Sequence, residues 1–314
     1  MSAEPQYIHE ALFFSSSAGL VEAATPFLRE GLAAGEDAVL VCTDAHNQAL
    51  TEALGDDPRV TVLPRPEVYG RAVSAVAFYR DFMRSRLRGG TERVRLVNEV
   101  DFGSSSAAWD EWRRFEALCN HALAPFPLWS LCAYDSAALS DPVLVTGELT
   151  HPYVRTRGAQ TANPVYVDPA ELMRLPATDL EPAPDVVPAL SASVSDPHDL
   201  QPLHQRLRDL LHDERVAGEV VEDLVLSVHE VATNGVRHGE TPVEVNVWLS
   251  TGRVVCTITD RGRGFDDPFA GYRPGSGEIV PEGRFGLWLA RRLCDDLVTA
   301  QTPDGFTVRL VRRH

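Results

Sequence analysis

Between Tyr7 and about Asp168, short runs of β-favouring residues alternate with stretches of helical period, and this alternation narrows the fold more than any other feature of the 314-residue chain. Ala11 to Phe14, Ala38 to Cys42, Val60 to Leu63, Val94 to Val100 and Leu128 to Tyr134 read as strands; Leu20 to Leu32, Ala45 to Leu54, Ala72 to Leu87 and Ala107 to Leu123 read as the helices between them. A strand that leads through a helix to the next strand is a crossover unit, so the pattern predicts an α/β domain with a mainly parallel sheet and helices on both faces.

The segment Leu12-Phe-Phe-Ser-Ser-Ser-Ala-Gly19 before the first helix, followed by Gly31, Gly35-Glu36 and the strand Ala38 to Cys42, has the layout of a RecA-like nucleotide domain. Its chemistry differs. A phosphate loop needs glycines to bare its amides and a lysine for the phosphate charge; Ser15 to Gly19 supplies neither a Gly-Lys pair nor a following hydroxyl for Mg²⁺. This half is therefore expected to lack a P-loop and not to hydrolyse nucleotide. Asp44, Glu99 and Asp135 fall at the C-terminal ends of strands, where parallel sheets gather ligands. His9, Cys132, Tyr134 and His151 are further sensory candidates. Because His9, Cys42, Cys132 and His151 include no closely spaced pair, they are expected to be core and turn residues rather than metal ligands.

From residue 171 to 197 the chain carries Pro176, Pro182, Pro184, Pro188 and Pro197 among Ala, Ser and acidic residues. It reads as a semi-extended linker between a first domain, 1–170, and a second, 198–314.

The second half is organised around Leu224 to Gly239, read as one helix ended by glycine. Glu230, Asn234 and His238 recur every four residues and share a face, while Val225, Val228 and Ala232 fall opposite and can enter a core. A carboxylate one turn before a carboxamide can act as general base and as oxygen ligand to a hard cation. Asp260-Arg-Gly-Arg-Gly264 follows the strand-like run Val254 to Ile258, and Gly283-Arg-Phe-Gly-Leu287 opens a helical pattern whose free N–H groups suit an anion. The breaker-rich stretch Asp266 to Glu282 between these motifs is expected to be a mobile lid.

This ordered set, covering about Leu200 to Arg312, resembles the GHKL ATP-binding fold of gyrase, MutL, histidine kinases and the RsbW-type anti-sigma-factor serine kinases. The resemblance implies an α/β sandwich with a mixed sheet that binds ATP and Mg²⁺. It makes Glu230 the catalytic base and Asn234 the Mg²⁺ ligand, with His238 beside them. It puts the adenine amino group on Asp260 with Gly262 and Gly264, and the phosphates on Gly283, Arg284, Gly286 and Leu287. The glycine motif is shorter than the family's run. Only one helix, Leu203 to Leu211, precedes the central helix. A histidine-kinase dimerisation hairpin has no room there, which favours the anti-sigma branch, with a sigma factor or an anti-anti-sigma (STAS) protein as partner.

The first half resembles the MEDS sensory domain of methanogen and methylotroph regulators. The matching residues are His9 with Phe13-Phe14-Ser15, Gly31, Gly35-Glu36, Cys42-Thr43-Asp44, Asn98-Glu99, Trp112 with Glu116 and Asn120, Cys132-Ala-Tyr134-Asp135 and His151-Pro152. An unidentified small ligand is implied for it.

The formal charge of −16 opposes direct binding to nucleic acid. Five scattered cysteines form no disulfide framework, and neither a basic-then-apolar leader nor a membrane-length apolar run is present. These features lead to the expectation of a cytoplasmic regulator that makes no membrane contact, with homodimerisation left open. A nucleotide-gated module that switches partners without phosphoryl transfer, or a histidine-kinase-like ATPase domain lacking its own acceptor histidine, stays open as well.

Overall fold

The computed structural model describes residues 6–103, 106–175, 187–272 and 284–314. The chain divides after Leu175 into two compact units, each with its own core. In the first, β1 (Ile8–Phe14), α1 (Ser17–Ala33), β2 (Asp37–Val41), α2 (Asp44–Leu54), β3 (Val60–Val62), α3 (Arg65–Val68), α4 (Ala72–Arg88), β4 (Val94–Asn98), α5 (Ser106–Ala122), β5 (Leu128–Asp135) and α6 (Asp141–Thr150) follow the expected alternation closely. The hairpin β6 (Tyr153–Thr156) and β7 (Ala159–Ala162), then α7 (Pro169–Arg174), complete the unit. The sheet order is β3-β2-β4-β5-β1-β6-β7, and every pairing is parallel except β6 with β7.

Each central strand feeds two layers. Leu12, Phe14, Leu40, Val97 and Leu131 pack under Leu20, Phe27 and Leu28 of α1 and Leu50 of α2. Burial on both faces explains why these strands are apolar throughout rather than alternating. Two ion pairs nevertheless reach this layer. Glu10 is fully buried and takes Arg155 Nη2 at 3.0 Å and Trp129 Nε1 at 2.8 Å. Arg95 meets Glu36 at 2.6 Å and lies 4.6 Å over the Trp129 ring. Its side chain fills the space beside Gly31, where a Cβ would come within 2.7 Å of it, so residue 31 must be glycine for the pair to form.

In the second unit, β8 (Leu190–Val194), a 3₁₀ turn (Pro197–Asp199), α8 (Leu200–Asp213), α9 (Gly218–His238), β9 (Val243–Ser250), β10 (Arg253–Asp260), α10 (Arg284–Leu293), β11 (Asp296–Thr302) and β12 (Gly305–Arg313) form one sheet covered on one face by helices. The order is β11-β12-β10-β9-β8. Every pairing is antiparallel, so the expected mixed sheet is corrected: short turns join β9 to β10 and β11 to β12, and such hairpins force opposite strand directions.

The linker expectation for 171–197 is also corrected. Residues 176–186 lie outside the described residues, but α7 occupies one end of the stretch and β8 the other. Leu190 and Val194 point into the core while Ser191 and Ser193 are exposed, a period-two pattern that the neighbouring prolines obscured. Leu203, Leu207 and Leu211 of α8 and Val221, Leu224, Val228 and Ala232 of α9 close the core over Val245, Val247, Cys256, Ile258 and Leu310.

Candidate functional site

In the second unit, the helix motif, the strand-end aspartate and the last helix converge on an open cleft of about 470 Å³. Asn234, Gly235, His238 and Gly239 line it from α9, Ile258 and Asp260 from β10, Gly264 and Phe265 from the turn, Leu287 from α10, and Phe306 and Val308 from β12. The mostly apolar wall with few polar groups suits a flat ring system.

Asp260 is held by backbone. Its Oδ1 accepts from Gly262 N at 2.7 Å, and among the described residues Oδ2 has no partner. Glycine is required around it: a Cβ at 239 would lie 2.5 Å from the carboxylate carbon, and one at 262 would lie 2.7 Å from Oδ1. Gly264 has φ +76°, and a Cβ there would strike the Phe306 ring. These glycines thus let the chain wrap a carboxylate and an aromatic wall at backbone distance.

Asn234 is buried, and its Nδ2 has no hydrogen-bond partner. Glu230, half-buried one turn earlier, lies against Gly286, where a Cβ would collide with Oε2 and come within 3.1 Å of the Glu230 Cβ. Gly286, the third described residue of α10, is therefore a contact point between helices. Leu287 packs in the core below it. His238 is exposed at the cleft mouth. Gly283 and the side chain of Arg284 lie outside the described residues.

Of the stretch expected to form a lid, Asp266 to Glu282, the residues through Tyr272 are described, and several of them are engaged. Asp267 caps a tight turn, accepting from Phe269 N at 3.0 Å, and Tyr272 is buried with the Arg291 guanidinium 3.9 Å over its ring. Gly271, at φ +76°, presses on Leu287. The remainder, 273–282, lies outside the described residues.

In the first unit the strand-end carboxylates do not act together. Asp44 is exposed in the first turn of α2, and Asp135 accepts from Ala137 N within its own turn. Glu99 is engaged: its Oε2 takes Thr43 N at 3.0 Å and His46 Nδ1 at 2.9 Å, while His46 Nε2 meets Ser17 Oγ at 2.8 Å. Ser17 and His46 carried no sequence signal, since they meet only through packing of α1 on α2.

The other candidates do converge, on the α5 side of the sheet. His9 on β1 and Cys132 on β5 lie two residues apart in register on one face, His151 follows α6, and Glu116 descends from α5. Cys132 Sγ is 3.3 Å from His9 Nε2, and Glu116 Oε2 is 3.4 Å from His9 Nε2 and 3.7 Å from His151 Nε2. A buried polar seam runs into this group from Tyr79 through Tyr69, Asn98 and Ser130 to Cys132, in steps of 2.5 to 3.3 Å. Tyr134 stacks edge-on against His151, and a Cβ at Gly147 would come within 2.8 Å of its ring. Burial pushes both histidines down to about 3, and it raises the Glu116 carboxyl and the Cys132 thiol. His9, Cys42, Cys132 and His151 are all buried, as expected, but three of them lie together: sequence separation concealed a cluster that the sheet and two helices assemble. In the sequence Glu116 stands out only as a residue matching the MEDS pattern, without a role.

The fold defines a two-domain protein, a mostly parallel α/β unit followed by an α/β sandwich with a polar-rimmed cleft. Residues 8–152 match the family model of the MEDS domain, the MEthanogen/methylotroph, DcmR Sensory domain, and residues 194–312 match that of the histidine kinase-like ATPase domain. The chain thus carries a MEDS sensory domain followed by a histidine kinase-like ATPase domain, which implies ATP binding. No curated protein matches the chain. Among solved structures, the RsbU and RsbW domains of Rv1364c from Mycobacterium tuberculosis are similar at 20% identity and a TM-score of 0.29, over 40% of this chain and 33% of that one. No helix among the described residues is long and apolar enough to cross a membrane.

Proposed function

We propose that the second unit binds ATP·Mg²⁺ in its cleft and works as an anti-sigma-type switch in the cytoplasm, sequestering a sigma factor and phosphorylating a serine on an anti-anti-sigma (STAS) partner, under control of the MEDS unit. The observation that carries the reading is the convergence of three sequence-distant motifs on one cleft, through Asn234 of α9, Asp260 at the end of β10 and Leu287 of α10, with Glu230 lying against Gly286 one turn before Asn234. The residues fit the group. The unpartnered Oδ2 of Asp260 can accept the exocyclic amino group of adenine, with Gly262 and Gly264 giving the base close approach. Asn234, buried and with an unsatisfied amide, can turn its oxygen to a hard cation. The free N–H groups at the start of α10, with Gly283 and Arg284, suit phosphate.

When bound, ATP·Mg²⁺ supplies an activated phosphoryl group with its charge partly neutralised. The chain's own contribution is positional. Glu230 draws the proton from the acceptor hydroxyl, Asn234 orients the cation, and the apolar walls of Ile258, Leu287 and Phe306 exclude water. Calorimetry with ATP·Mg²⁺ on the full chain tests the site, and binding that survives Asp260→Asn unchanged contradicts it. Transfer from labelled ATP to a STAS protein tests the chemistry. Glu230→Gln should abolish transfer with nucleotide affinity retained, whereas binding without any transfer by the parent chain leaves a non-catalytic partner switch.

A further inference from the structure

We propose that the MEDS unit holds a buried zinc ion, or another borderline divalent transition metal, on His9, Glu116, Cys132 and His151. The four ligand atoms lie within 4.8 Å of one another, and all four residues are buried. Zinc–ligand bonds of about 2.0 to 2.3 Å in a tetrahedron place neighbouring ligand atoms about 3.3 to 3.8 Å apart. The separations of Glu116 Oε2 from His9 Nε2 at 3.4 Å and from His151 Nε2 at 3.7 Å, and of Cys132 Sγ from His9 Nε2 at 3.3 Å, fall in that range.

A second observation asks for a ligand. Both oxygens of Glu116 and Nε2 of His151, on side chains no more than 1% exposed, make no hydrogen bond of normal geometry. Buried polar groups of a native fold are otherwise satisfied, and a carboxylate left bare costs most. One ion at the centre takes one Glu116 oxygen together with Nε2 of His151, and the Tyr134 hydroxyl lies beside the same carboxyl. The outer hydrogen bonds set the required tautomers. Asn120 Nδ2 donates to Thr150 O at 2.7 Å, which turns its Oδ1 toward His9 Nδ1 at 3.2 Å; His151 Nδ1 donates to Gly147 O at 2.8 Å. Each imidazole therefore carries its proton on Nδ1 and aims the Nε2 lone pair inward, the arrangement in which metal-binding histidines are held.

Charge and ligand type choose the ion. A thiolate and a carboxylate together balance a divalent cation, so the loaded site is neutral in an interior that penalises net charge. Two imidazoles and a sulfur suit zinc and its neighbours, whereas calcium and magnesium need more oxygen ligands than this site has. Loading releases the Cys132 thiol proton to solvent, with no change of oxidation state.

The full chain, free of any affinity tag, is purified, and its zinc is measured by plasma mass spectrometry; the expected content is about one zinc per chain, falling below about a tenth in His151→Ala. Glu116→Gln, which keeps shape but removes charge, should bind zinc at least tenfold more weakly. His198→Ala, which removes an exposed histidine of the other unit, should leave the content unchanged. Because His151→Ala could lose the fold of the unit, chelator-stripped parent chain is also loaded with Co²⁺. A thiolate-to-cobalt charge-transfer band is expected, and Cys132→Ser should lose that band while keeping ligand-field absorption. A parent chain that holds no zinc as purified and gives no cobalt spectrum overturns the proposal. So does zinc retained at full content by both His151→Ala and Cys132→Ser.

Discussion

At the scale of residues, the cleft is shaped as much by missing side chains as by present ones. Asp260 can reach a ligand because Gly239 and Gly262 leave room around its carboxylate. Asp260→Asn keeps the size but puts a donor where a base amino group also donates; ATP affinity measured by calorimetry should fall by about 1–3 kcal/mol, the cost of an unsatisfied buried polar contact. Gly286→Ala should lower the unfolding free energy of the second unit by about 1–3 kcal/mol, because the new methyl strikes the Glu230 side chain across two tightly packed helices. Removing the carboxylate relieves that clash, so Gly286→Ala with Glu230→Ala should be less destabilised than the two single changes summed. Additive values in a urea-denaturation cycle would disprove the contact.

At the scale of elements, α9 is the pivot of the second unit, with α8, α10 and the sheet all packed on it. Leu224 is fully buried at its centre. Leu224→Ala should cost about 2–5 kcal/mol in chemical denaturation, since packed helices on both sides prevent collapse onto the cavity. β8 makes a second element-scale point. It covers the free edge of β9 and contributes Leu190 and Val194 to the core. A chain starting at Asp196 should melt at lower temperature and aggregate more readily than one starting at Val187, because it exposes an unpaired strand edge as well as apolar surface. Equal melting temperatures would mean that β8 adds nothing to the fold.

At the scale of the molecule, two units with separate cores can each respond to their own ligand. Control of one by the other requires a coupling free energy, typically about 1–3 kcal/mol, seen as a roughly 5- to 150-fold change in affinity at the second site. ATP affinity and STAS phosphorylation should therefore differ between the full chain and a chain that begins at Val187. They should differ too between metal-loaded and chelator-stripped full chain. Identical values in both comparisons would reduce the MEDS unit to an independent adaptor.

What the sequence determined by itself is everything governed by period and local chemistry. The alternation of strands and helices in the first half, the long helix ended by Gly239 and the aspartate before a glycine turn all follow from backbone preferences that act within a few residues. The nearness of Asn234, Asp260 and Leu287 was legible only because their motifs occur in a recognisable order. Tertiary structure decided the rest. Leu-Ser-Ala-Ser-Val became a strand because β9 offers it an edge, which no neighbouring residue announces. Tyr272 is buried because Arg291 and Leu287, arriving from α10, close over a stretch whose glycines and prolines suggest freedom. His9, Glu116, Cys132 and His151 are separated by 107, 16 and 19 positions, and only the pairing of β1 with β5 beneath α5 and α6 brings their atoms within coordinating distance. Sequence spacing reports on ligands that share an element; a site assembled from four elements is a property of the packing.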